Sequence, residues 1–171
     1  LFLIVFQLYA QVPQRNGWWK FDDPSNLRKA EPGYGTDLIL VGAHSATSGP
    51  ENGNGATIIG VGSHYKMQHQ IPANGGGSFV NEYTLQYDFK VSDIGVWHSF
   101  FQTDVSNSND GDFFINPSGK IGVAAVGYSV FSIEPNEWYR LVISVQNGSS
   151  FNVYLDGQLM FSGKVQYVDG R

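Results

Sequence analysis

The chain has 171 residues, enough for one domain with a buried core, and its formal net charge of −5 with scattered Lys and Arg argues against nucleic acid or an anionic membrane as a partner. The lack of Cys excludes disulfides, thiolate metal sites and thiol nucleophiles. Twelve Phe, nine Tyr, four Trp and 21 Gly, beside only 15% charged residues, are typical of an all-β protein, because aromatic side chains fill pleated faces and Gly serves turns.

The first ten residues, Leu1 to Ala10, form a nearly continuous apolar run that is too short to span a bilayer. Its length is that of a signal-peptide core, so residues 1–12 are predicted to be a signal-peptide remnant and the protein to be secreted or on the cell surface. The alternative is a buried first strand. Because an initiating Met and a basic leader are missing, we expect the sequence to be a fragment, with one domain over residues 13–171.

Short strands separated by turns follow along the rest of the chain. The stretches from Ser45 to Gly55 and from Pro72 to Ser78 are polar and Gly-rich, which predicts surface loops. Tyr83 to Val91 is the longest apolar–polar alternation and predicts a strand with one buried face. The other strands predicted before residue 137 are residues 18–21, 37–41, 57–61, 65–69, 96–102, 113–115, 121–125 and 128–133.

A hairpin is predicted near the end of the chain. Residues 139–145 alternate strictly, Asn147-Gly148 supplies a tight turn, and residues 151–155 alternate on the way back. Asp156-Gly157 is a second turn signal before residues 159–161, so the three strands should form a meander. No segment has the periodicity of an amphipathic helix.

The residues around this hairpin also carry a family resemblance. Residues 138–142 and 153–157, together with residues 17–24, 81–85, 102–104 and 110–115, resemble laminin-G-like domains of the concanavalin A-like lectin/glucanase superfamily. The resemblance implies a two-sheet antiparallel jelly-roll sandwich. It also implies that closing strands are missing after Arg171, which would leave an uncovered sheet edge.

A loop between two predicted strands, TDVSNSNDGDFFI, is the candidate metal site. Asp104, Asn107, Asp110 and Asp112 could supply the oxygen ligands that Ca²⁺ prefers. The alternative is a plain polar turn whose side chains bond their own backbone. The resemblance implies that calcium is a possible cofactor, without identifying the ligands.

Four aromatic residues are the candidate ligand-binding residues: Trp18, Trp19, Trp97 and Tyr128. Exposed Trp and Tyr rings stack on the apolar faces of sugars, and their polar tips add hydrogen bonds. The alternative is that these rings belong to the core of the sandwich.

A catalytic centre is not expected, because the carboxylate-rich strand motif of the glucanases is missing and Glu82 and Asp88 are too far apart to replace it. The predicted function is a non-catalytic extracellular module that binds glycans or another extracellular ligand, such as a protein. One alternative is an accessory domain of a larger secreted enzyme, such as a calcineurin-like phosphoesterase, to which further domains would be fused. A glycan hydrolase is the weaker alternative.

Overall fold

The structure, a computed structural model, describes residues 14–104, 106 and 111–163, and every regular element in this part of the chain is a β-strand. The chain divides into two compact units, Leu1–Gln70 and Ile71–Arg171. The strands are β1 (Ile39–Val41), β2 (His44–Ser48), β3 (Gly55–Ile59), β4 (His64–Lys66), β5 (Glu82–Phe89), β6 (His98–Gln102), β7 (Asp112–Ile115), β8 (Ile121–Val123), β9 (Gly127–Tyr128), β10 (Tyr139–Gln146), β11 (Ser150–Leu155) and β12 (Gln158–Gly163). Among the described residues there is no helix that could cross a membrane.

The first unit holds two small antiparallel sheets, in which β1 pairs with β4 and β2 pairs with β3. The predicted loop from Ser45 to Gly55 is wrong at its start, because residues 45–48 lie in β2 and pair with residues 55–58. Four of the five residues of β2 are exposed. Because β2 buries almost none of its side chains, its sequence lacks the apolar–polar alternation by which a strand is predicted, and a loop was predicted instead.

The predicted strand from Trp18 to Phe21 is also wrong, since these residues have no strand conformation. The backbone N–H of Trp18 donates to the carbonyl of Tyr34 at 3.2 Å, and the carbonyl of Trp18 accepts from Glu31 at 2.9 Å. Phe21 has a φ of 62°, which ends any extended run at that residue. The segment is an irregular loop tied to a neighbouring turn.

The second unit is a sandwich of two four-stranded antiparallel sheets. One sheet has the order β12-β11-β10-β5 and the other β6-β7-β8-β9, so the predicted two-sheet all-β fold is confirmed. Both sheets contribute to one core, and the rings of Phe113 and Phe151 meet at 6.0 Å between the sheets. The buried core residues are Phe113, Ile115, Ile121, Val123, Ile133, Leu141, Ile143, Val145, Phe151, Val153 and Leu155.

The predicted meander is confirmed by the pairing of β10 with β11 and of β11 with β12. Gly148, in the first turn, has a φ of 83°. In the second turn Asp156 has a φ of 49° and Gly157 a φ of 79°, as a tight two-residue hairpin turn requires. The side chain of Asp156 accepts from the backbone N–H of Arg140 at 2.8 Å, which fixes this turn to the neighbouring strand.

An asparagine cluster joins the loop before β5 to the turn after β10. Asn74 Oδ1 accepts from the backbone N–H groups of Asn81 and Glu82, both at 2.8 Å. Asn147 Nδ2 donates to Asn81 Oδ1 at 2.9 Å, and the backbone N–H of Asn147 donates to the carbonyl of Asn81, also at 2.9 Å. The cluster therefore holds the end of the β5–β10 pair in register.

The predictions for both chain ends concern residues outside the described ranges. These are the signal-peptide remnant at residues 1–12, the domain boundary at residue 13 and the missing strands after Arg171.

Candidate functional site

The outer face of the β6–β9 sheet brings together several of the predicted site residues. In β7, Phe113 and Ile115 point into the core, so Asp112 and Phe114 lie on the opposite face. Phe114 pairs with Gly122 of β8, and Gly122 pairs with Tyr128 of β9. Phe114 and Tyr128 therefore lie on one line across the strands, two strands and about 10 Å apart.

Ser99 is the β6 residue that pairs with Phe114 on this line, and beside it, immediately before β6, lies Trp97. Its side chain is 60% exposed, and its ring meets that of Phe114 edge-on at 5.8 Å between centroids. Trp97, Phe114 and Tyr128 are called the aromatic row below. The aromatic row contains both of the predicted ligand-binding residues of the second unit, Trp97 and Tyr128.

Gly122 leaves the space between Phe114 and Tyr128 without a side chain. It lies within a buried strand, and a Cβ atom there would come within 2.7 Å of Tyr128 Cα. The close approach of β8 and β9 therefore depends on Gly at this position. Because Tyr128 sits on β9, Gly122 also fixes where the row ends.

Asp112 lies on the same face as the aromatic row and is only 8% exposed. Burial, and secondarily the negative charge of Asp112, raise the pKa of Tyr128 above its ordinary value. A phenol is neutral at neutral pH even at its ordinary pKa, so Tyr128 can donate a hydrogen bond there. Asp112 was predicted as a metal ligand and Tyr128 as a ligand-binding residue, and the structure places both at one site.

Of the other three predicted metal ligands, the structure describes only Asp104. Asp104 Oδ1 accepts from both the backbone N–H and the hydroxyl of Ser106, at 2.7 and 2.6 Å, and these bonds lower the pKa of Asp104. Asn107 and Asp110 lie outside the described residues. Among the residues that are described, no three His, Asp or Glu side chains converge on a metal position. Calcium binding stays a prediction, to be tested by the melting temperature in millimolar Ca²⁺.

Trp18 and Trp19 belong to the first unit, where both rings have partners. The Trp18 ring lies under the Arg15 guanidinium at 4.1 Å and the Lys20 ammonium at 4.4 Å, an arrangement of cation–π contacts. Trp19 Nε1 donates to the carbonyl of Thr36 at 3.0 Å. Both rings thus help to hold the loop before β1, and their predicted ligand-binding role stays untested.

The two carboxylates weighed for catalysis lie apart on one strand. Glu82 and Asp88 are at the two ends of β5, six residues and about 20 Å apart. Asp88 forms a two-pronged ion pair with Arg140, with N–O distances of 2.7 and 2.8 Å. A glycosidase pair needs a separation of about 5 to 9.5 Å, so these two cannot act together.

Phe114 is the member of the site that the sequence analysis missed. The signal was present, because alternation through Asp112–Ile115 assigns Phe113 and Ile115 to one face and Phe114 to the other. In a run of three apolar residues that signal is masked, since a fully buried strand has the same composition. Exposure of the neighbouring Trp97 was needed to identify it.

No protein-family model matches this chain, and no curated protein matches it. Among solved structures the chain is similar to domain 4 of AbnA, a GH43 extracellular arabinanase from Geobacillus stearothermophilus, in complex with arabinotriose. The TM-score is 0.62 and the sequence identity 18%, and the similarity covers 90% of this chain and 76% of that one. At this identity the similarity supports the all-β sandwich fold.

Proposed function

We propose that this protein is a non-catalytic extracellular module that binds glycans on the aromatic row. The observation that carries the proposal is that an exposed Trp97 contacts Phe114, which shares one sheet face with Tyr128. Rings of this kind offer large rigid surfaces at little entropic cost, and they stack on the apolar faces of sugar rings. The neutral phenol of Tyr128 adds a hydrogen-bond donor at one end of the row.

The length of the aromatic row favours a chain of sugars over a single sugar. The ring centroids of Trp97 and Phe114 are 5.8 Å apart, and Tyr128 lies two strands beyond Phe114. One sugar ring can cover only part of this distance. We therefore infer that the ligand is an oligosaccharide that crosses the strands, with successive rings on successive aromatic side chains.

The structural neighbour indicates which glycans to test first. That neighbour is a domain of an extracellular arabinanase and is seen in complex with arabinotriose. Arabino-oligosaccharides are therefore the first ligands to test, and an extracellular location fits the same comparison. The narrower assignment to the laminin-G-like, concanavalin A-like jelly rolls is also part of this proposal and depends on the hairpin residues of β10 and β11.

A second candidate function is that of an accessory domain in a larger secreted enzyme. The observation that favours it is that the similar structure is one numbered domain of a multidomain enzyme. In both versions the chain itself binds and does not hydrolyse, since Glu82 and Asp88 lie about 20 Å apart. The two versions differ only in what is fused to the module; in the second version the fusion partner is a catalytic domain, such as a calcineurin-like phosphoesterase.

Calorimetric titration with arabinotriose and a panel of neutral oligosaccharides tests the proposal. Trp97→Ala should weaken binding by at least about tenfold, because an exposed stacking ring carries much of the affinity of a small site. Val61→Ala is the control, since Val61 is fully exposed and belongs to the first unit. If no glycan in the panel binds, or if Trp97→Ala binds as well as the unchanged protein, the proposal fails.

A further inference from the structure

Five asparagines of the chain directly precede a glycine, and the fold places them in different surroundings. They are Asn16, Asn52, Asn54, Asn74 and Asn147. Because glycine has no side chain to hinder its own backbone nitrogen, such pairs are the ones at which an unfolded chain deamidates most readily. We infer that Asn52 is the site at which the folded protein deamidates, and that the fold protects the other four.

Deamidation begins with an attack of the backbone on the asparagine side chain. The backbone nitrogen of the glycine loses its proton to a base in solution and bonds to Cγ, and the Cγ–Nδ2 bond breaks as ammonia leaves. Water then opens the cyclic imide to aspartate or isoaspartate. The side-chain amide must therefore be free to turn toward the glycine, and the glycine N–H must be open to base. A hydrogen bond that holds either group slows the reaction.

Asn52 meets both conditions, because it lies in an exposed turn between β2 and β3. The backbone N–H of Asn54 donates to the carbonyl of Glu51 at 3.1 Å, which places Asn52 and Gly53 at the centre of a β-turn. Gly53 has a φ of 92°, as the third residue of a type II turn requires. Both central residues are exposed. Within the described part of the chain, neither the Asn52 amide nor the Gly53 N–H has a hydrogen-bond partner.

Asn54 is protected through the glycine that follows it. The N–H of Gly55 donates to the carboxylate of Asp22 at 2.7 Å, so it is not open to base. The negative charge beside it also disfavours the amide anion that would attack. Gly55 begins β3 and packs closely on the chain at Asp22, since a Cβ atom there would come within 2.7 Å of Asp22 Cα. This backbone therefore has little room to turn toward the Asn54 side chain.

Asn74 and Asn147 are protected through their own side chains, which belong to the asparagine cluster. Asn74 Oδ1 accepts from two backbone N–H groups at 2.8 Å, and Asn74 Nδ2 donates to the carbonyl of Glu82 at 2.9 Å. Asn147 Nδ2 donates to Asn81 Oδ1 at 2.9 Å. Each amide must break these bonds before it can reach the glycine that follows.

Asn16 is protected by packing. Its side chain is exposed, but Gly17 is half-buried and the ring of Trp19 lies against it. The ring is itself fixed, because Trp19 Nε1 donates to the carbonyl of Thr36 at 3.0 Å. Asn52 is thus the one pair of the five in which both residues are exposed and neither reacting group is held.

Peptide mapping by mass spectrometry measures the deamidation rate at each of the five pairs. The whole chain is incubated in mildly alkaline buffer, once folded and once unfolded in urea, so that each asparagine serves as its own reference. Asn52 should react in the folded protein within about threefold of its unfolded rate, and the other four should be slowed at least about tenfold. The inference is wrong if Asn52 is slowed as much as the others, or if any of the other four keeps its unfolded rate.

A pair of variants tests the protection of Asn54 separately. Asp22→Ala releases the Gly55 N–H, so Asn54 should react at least about threefold faster in the folded protein. Asp23→Ala is the matched control, because the neighbouring Asp23 carboxylate accepts from Ser25 and not from Gly55. An unchanged Asn54 rate in Asp22→Ala, or an equal rise in Asp23→Ala, would overturn the protective role of Asp22.

Discussion

Phe113 and Phe151 stack between the two sheets of the sandwich, with ring centroids 6.0 Å apart and ring planes inclined by 26°. Both side chains are fully buried. Phe113→Ala should lower the free energy of unfolding by about 3 to 5 kcal/mol, the usual loss for a core Phe whose cavity cannot close. Phe131→Ala should cost about 1 kcal/mol or less, because Phe131 is 46% exposed. Urea unfolding of both variants measures the difference, and equal losses would contradict the assigned core.

Two partly buried tyrosines on β5, which pack against the core, should make the protein sensitive to alkaline pH. Burial raises the pKa of Tyr83 to about 12 and also raises that of Tyr87, to which the neighbouring Tyr83 contributes. Because of the raised pKa, each tyrosine hydroxyl stays protonated to a higher pH in the folded state than in the unfolded state. The stabilisation is fully present below the ordinary pKa of 10 and is lost as the pH rises toward 12, at about 1.4 kcal/mol per pH unit for each residue.

Unfolding free energies measured as a function of pH test this expectation. Tyr83→Phe and Tyr87→Phe should each make the alkaline loss less steep, because one titrating phenol is removed in each. The exposed side of β5 offers Gln86→Ala as a control that should leave the slope unchanged. An alkaline slope that is the same in all four proteins would show that these phenols are not buried.

Gly122 and Gly148 should differ sharply in their tolerance of a methyl group. A Cβ atom at Gly122 would collide with the backbone of Gly127 and Tyr128, whereas at Gly148 no atom lies within 4 Å. Gly122→Ala should therefore displace β9 and weaken glycan binding together with stability. Gly148→Ala should cost only about 1 kcal/mol, from its φ of 83°, and leave binding unchanged. Thermal unfolding and calorimetry separate the two effects, and matching results for the two variants would be evidence against the β8–β9 contact.

Asp156 is expected to be replaceable by Asn but not by Ala. It has a φ of 49°, and its carboxylate accepts from the backbone N–H of Arg140 at 2.8 Å. Asn keeps both an acceptor oxygen and tolerance of positive φ, so Asp156→Asn should change the stability by less than about 0.5 kcal/mol. Asp156→Ala should lose about 1 to 3 kcal/mol. If the two variants unfold at the same urea concentration, neither the turn nor the bond contributes as described.

The parts of the fold that the sequence predicted are those in which burial alternates along a strand. Residues 139–145 and 151–155 place alternate side chains in the core, and their pairing and both turns were predicted correctly. The strand β2 was missed because it buries almost nothing. The predicted strand at Trp18–Phe21 failed because Phe21 has a positive φ, which apolar–polar alternation cannot reveal.

The candidate site was predictable residue by residue but not as an arrangement. Trp97, Tyr128 and Asp112 were each chosen for their own chemistry. Their meeting on one face depends on the register of β7, β8 and β9, where Gly122 pairs with both Phe114 and Tyr128. Such cross-strand register depends on the turns that join neighbouring strands, which local periodicity does not encode.

The bond between Asn147 and Asn81 has a consequence for production of the protein. Asn147-Gly148-Ser149 has the spacing of an N-glycosylation acceptor, and the nitrogen that would be modified is the one that donates to Asn81 Oδ1 at 2.9 Å. In the folded protein this amide nitrogen already donates to Asn81. In a eukaryotic secretory host an attached sugar would leave Nδ2 only one N–H, and its bulk beside Asn81 would disturb this bond. Expression in a bacterial host avoids this competition between modification and folding.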